Sequence, residues 1–65
     1  MKALYVKKFY SSKSDSTYLA LCVDLEYAEK KISFDNALMS ELTELPVSQL
    51  MALKVGETYY IYKAE

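Results

Sequence analysis

Seven tyrosines and eight lysines, without a histidine, arginine or tryptophan, are the chemical resources of this 65-residue chain. Tyrosine rings can stack on planar groups or fill an interface, and lysines can hold phosphates. Without histidine the chain lacks the usual general base and the commonest transition-metal ligand. A Ser–Lys pair could be drawn from Ser12 or Ser14 with Lys13, but these residues belong to a polar run that reads as a solvated turn. Asp24, Glu26 and Glu29 cluster without the glycine of a calcium loop and read as an exposed acidic turn. The single cysteine, Cys22, cannot close a disulfide within the chain or build a metal site alone. One glycine, Gly56, leaves no phosphate-cradling loop. These absences predict a binding protein, with no enzymatic activity, no cofactor and no metal.

The elements that must position those side chains follow from periodicity. Residues 3–10 alternate, with Leu4 and Val6 on one face and Tyr5, Lys7 and Phe9 on the other, which predicts a strand. Ser11–Ser16 is polar and reads as a hairpin loop. Residues 17–25 alternate most clearly: Leu19, Leu21, Val23 and Leu25 face one way, Tyr18, Ala20, Cys22 and Asp24 the other. Glu26–Lys30 turns the chain, and Lys31–Phe34 forms a short strand with Ile32 and Phe34 inward. Asp35 suits a helix N-cap. Leu38, Leu42 and Leu45 then make a helical stripe with Met39 beside it. Pro46 ends that helix and opens a second, with Val47, Leu50 and Met51 apolar and Lys54 near its end. The second helix has no cation before Lys54, which argues against a helix-turn-helix reading duplex DNA. Thr58–Lys63 is the last strand, with Tyr59 and Ile61 on one face and Tyr60 and Tyr62 on the other.

This order, β-β-β-α-α-β, predicts a single α+β domain over residues 1–65, a small antiparallel sheet with the helices covering one face. A small OB-like barrel with an inserted helix is the alternative. So short a chain buries only about 60% of its unfolded surface. Self-association is a common remedy, and a homodimer is expected. The formal charge of −1 gives no global attraction to nucleic acid or to anionic membrane. No apolar run is long enough to span a bilayer. The lone cysteine and the lack of a leader-like start predict a cytoplasmic protein.

With leucines under the helices, the reverse face would carry Tyr5, Lys7, Phe9, Tyr18, Tyr60 and Tyr62, with Lys31 nearby. These seven are the candidate ligand- or partner-binding residues. Rings on strands with interleaved lysines suit single-stranded nucleic acid, which is the first expectation. The same surface could instead be a homodimer or partner interface, and the acidic helical face with Glu41 and Glu44 could make the chain an inhibitor of a larger protein.

Tyr18-Leu19-Ala20-Leu21-Cys22-Val23-Asp24-Leu25, then Lys31-Ile32-Ser33-Phe34-Asp35, resembles the central strands of the small single-stranded DNA-binding proteins of filamentous phages. Gly56-Glu57-Thr58-Tyr59-Tyr60-Ile61 is similar to their closing glycine-then-aromatic strand. The resemblance covers a third of the chain. It implies a phage or mobile-element product, an OB-like dimer, and base stacking on Tyr18 and Tyr27. The chain departs from that family in the helical stretch 36–53 and in lacking arginine.

Overall fold

A computed structural model of the chain describes residues 2–64. Strands β1 (Ala3–Ser11), β2 (Ser16–Asp24) and β3 (Glu29–Ser33) precede helices α1 (Asn36–Thr43) and α2 (Val47–Met51), and β4 (Thr58–Lys63) follows. The sheet is antiparallel in the order β3-β2-β1-β4 and stays open, so the α+β arrangement holds and the barrel alternative does not.

The first two strands pair without interruption from Ala3–Asp24 to Ser11–Ser16. Their alternation separates two interiors. On the helix side, Val6, Leu19, Leu21, Met39 and Leu50 are buried together, with Leu4, Leu45, Leu53 and Ile61 packed against them. On the reverse side Ala3, Tyr5, Ala20 and Cys22 form a second small cluster under Phe9 and Tyr18.

Asp35 caps α1 as expected: its carboxylate accepts hydrogen bonds from the amides of Ala37 (3.0 Å) and Leu38 (3.3 Å). The inward stripe of α1 is Met39 and Thr43, while Leu38 and Leu42 lie 37% and 41% exposed. Thr43 tolerates burial because its hydroxyl donates back to the Met39 carbonyl at 2.8 Å. Glu44 ends the helix in a left-handed conformation (φ 61°) without glycine. In α2 only Leu50 is buried, and Val47 and Met51 are exposed.

The cation at the end of α2 is also not the expected one. Lys54 lies beyond the helix, and the Nζ of Lys8 reaches across from β1 to donate to the Met51 carbonyl. Gly56 (φ 89°) turns the chain into β4 while its amide donates to the Lys8 carbonyl at 2.9 Å. A Cβ there would meet nothing within 4 Å, so glycine is needed for its backbone angle and not for space.

Two one-residue irregularities revise the side-chain assignments. Between β2 and β3 the register shifts at Leu21/Cys22, so Lys31 lies opposite Cys22 and Ser33 opposite Leu21, with Ile32 as the extra residue. Ile32 is therefore half-exposed, and Phe34, expected inward, leans on Tyr18 from the reverse face. Between β1 and β4 the shift falls at Leu4/Tyr5: Tyr60 lies opposite Tyr5, Tyr62 opposite Leu4, and Ile61 is extra. Leu4 packs toward the helices, so Tyr62 does not share a face with Tyr60. Leu25, expected inward, is exposed in the β2–β3 turn, where Leu25 and Ala28 exchange backbone hydrogen bonds. No helix among the described residues is long and apolar enough to cross a membrane.

Candidate nucleic-acid interface

The face away from the helices is built on a floor of small side chains. Ala20 and Cys22 lie opposite Lys7 and Tyr5, and neither has solvent exposure. Large neighbours close over them. Phe9 and Tyr18 are cross-strand partners whose rings stack 5.5 Å apart at 19°. Phe34 extends that row, with its ring tilted 57° against Tyr18 at 5.9 Å. Two strands away, Tyr60 tilts against Tyr5 at 5.3 Å.

Lysines lie directly on these rings. The Nζ of Lys31 is 4.2 Å from the centre of Phe9 and 5.4 Å from that of Tyr18, and it donates to the Tyr18 hydroxyl at 2.9 Å. Lys63 sits 4.8 Å above Tyr60, a position it owes to the β4 bulge. Lys7 approaches Phe9 at 5.2 Å while pairing with Glu29 at 3.4 Å. Such contacts draw the ammonium to the negative face of the ring.

Glu29 organises the far end of the face. Its carboxylate accepts from the Tyr5 hydroxyl and from Lys7. The Tyr5 hydrogen bond and the lysine charges hold its pKa below the ordinary carboxylate value, against a smaller opposing effect of burial. Burial pushes the Tyr5 phenol upward, reinforced by its bond to Glu29. Burial likewise raises the Cys22 thiol, which keeps it a neutral, inert floor residue. The Lys31 ammonium is held upward by its bond to Tyr18.

Opposite shifts in one hydrogen-bonded pair set a two-sided pH profile. The Glu29 contribution is whole above the carboxylate's ordinary 4.5 and is lost as pH falls through its lower folded value. The Tyr5 contribution is whole below the phenol's ordinary 10.0 and is lost as pH rises beyond it. Thermal melts across pH are therefore expected to fall off at both extremes, and Tyr5→Phe flattens both limbs. An unchanged profile in that variant would dismiss the pair as its source.

Of the seven residues expected on this face, Tyr5, Lys7, Phe9, Tyr18, Lys31 and Tyr60 are there. Tyr62 is on the helix side. Tyr5 is only 5% exposed, so it supports the surface without presenting a ring. Phe34 (61% exposed) and Tyr60 (47%) are the rings most open to a ligand on this face. Sequence reasoning missed Phe34, Lys63 and Glu29, because two bulges and a diagonal cross-strand bond place them. Tyr27, 94% exposed in the β2–β3 turn, has no ring neighbour among the described residues.

The described residues enclose no pocket and assemble no group of three or more potential metal ligands. The face is an open surface of the sheet. No protein-family model matches the chain, and no curated protein or solved structure matches it either.

Proposed function

We propose that this chain binds single-stranded nucleic acid through the sheet face that carries Phe34, Tyr18, Phe9 and Tyr60. The observation that supports it most is the pairing of open rings with cations: Lys31 beside the Phe9–Tyr18–Phe34 row, and Lys63 on Tyr60. A base stacked on such a ring brings its phosphate close to the lysine. Charge is also divided between the layers. The sheet face carries Lys7, Lys31 and Lys63 against Asp24 and Glu29, whereas residues 35–57 hold four carboxylates and one lysine. A polyanion is therefore directed to the rings and away from the helices.

The test is fluorescence anisotropy with a labelled oligo-dT. Phe34→Ala and Tyr60→Ala are each expected to weaken binding, by about 1–3 kcal/mol per lost stack. Because both rings are exposed, the fold should survive, as circular dichroism would report. Neutralising two phosphates, one at Lys31 and one at Lys63, gives a logarithmic salt slope of about −1.4. Absence of binding at low salt, or binding indifferent to both substitutions, refutes the proposal.

A further inference from the structure

We infer that the outer surface of α1, where Leu38 and Leu42 lie among Asp35, Glu41 and Glu44, docks a basic amphipathic helix of another protein. The two leucines are four residues apart and lie on one stripe, one position before the buried pair Met39 and Thr43. They are 37% and 41% exposed although the helix has an apolar core to bury them in. Val47 and Met51 repeat the spacing on α2, which packs against α1, and are 36% and 45% exposed. An apolar stripe at helical spacing is matched by the i, i+4 ridge of a second helix.

Charge chooses the occupant. Asp35, Glu41 and Glu44 are all exposed, and α1 carries no cation. A second copy laid α1 to α1 would set carboxylates against carboxylates, which disfavours self-association here. An anionic membrane surface or a nucleic acid would be repelled for the same reason. A helix with leucines on one side and lysines or arginines along its flanks satisfies both the stripe and the carboxylates. This surface lies across the sheet from the aromatic face, so the inference does not depend on nucleic-acid binding.

The probe is a synthetic leucine–lysine amphipathic peptide about five helical turns long, with a scrambled peptide of identical composition as control. Titration into the labelled protein is expected to shift amide resonances of α1 and α2 and to leave those of Tyr60 and Phe34 in place. The double variant Leu38→Ser/Leu42→Ser, which alters only half-exposed side chains, is expected to bind the peptide at least about tenfold more weakly, a loss of about 1.4 kcal/mol. Glu41→Lys/Glu44→Lys should lose binding similarly. The serine variant, which leaves the charge unchanged, should bind oligo-dT as the parent does, so failure here and failure of the nucleic-acid proposal are separate results. Equal binding of the scrambled peptide overturns the inference. So do full binding by the serine variant and shifts confined to the sheet face.

Discussion

Met39→Ala is expected to leave the chain largely unfolded at physiological temperature. Met39 has no solvent exposure and joins Val6, Leu19, Leu21 and Leu50, so it ties α1 to both central strands and α2. Truncating a buried side chain of this size costs about 2–5 kcal/mol through lost transfer energy and the cavity left behind. A single core in a chain this short supplies only about 3–5 kcal/mol of net stability. One substitution therefore removes most of the margin. Thermal or urea melts followed by circular dichroism measure it directly. The neighbouring Leu38→Ala is the control, because Leu38 is exposed and its loss should cost well under 1 kcal/mol. A Met39→Ala protein that melts like the parent would show that the core does not pass through this residue.

The second large effect belongs to Lys8. It is a β1 residue only 7% exposed, and its ammonium reaches the carbonyl end of α2 at Met51. Carbonyls at a helix C-terminus carry partial negative charge and lack partners within the helix, so a buried cation is stabilised there. Among the described residues the one ion pair is Lys7–Glu29, so the stabilisation of Lys8 comes from backbone dipoles and not from a carboxylate. Lys8→Glu sets a buried carboxylate against those oxygens and is expected to cost about 3 kcal/mol or more. Lys8→Met keeps the aliphatic packing, loses the donor and is expected to cost about 1 kcal/mol. Denaturant midpoints of the two variants separate the effects. Equal midpoints would remove the helix terminus from the account.

The fold was legible where one periodicity ran unbroken. Leu19-Ala20-Leu21-Cys22-Val23 alternates cleanly, and its pairing with β1 is uninterrupted, so alternation alone gives both faces of the central strands. Asp35 was legible for a local reason: a side chain that caps its own following amides needs no tertiary information. The edges were not legible. A bulge adds one residue without changing composition, and the two at Ile32 and Ile61 turned Phe34 and Lys63 onto the aromatic face and Tyr62 off it. In α1, Leu38–Leu42 and Met39–Thr43 have the same spacing, and hydropathy favours the leucines. The choice fell to Thr43, whose hydroxyl is satisfied within the helix and can be buried. The role of Lys8 has no sequence signature, because its partner is a backbone carbonyl 43 residues away.

The strand order has a kinetic corollary. β1 lies inside the sheet, yet one of its two neighbours, β4, begins at Thr58. The meander of β1, β2 and β3 is joined by short turns, whereas joining β4 to β1 requires closure over most of the chain, including both helices. Loop closure of that span raises the barrier of the final step. Pulse-labelled amides of Leu21 should therefore gain protection before that of Tyr59, and simultaneous protection would place β4 in the nucleus instead. Until β4 arrives, the hydrogen-bonding edge of β1 is bare, and for that interval the protein is most open to pairing with a stray strand.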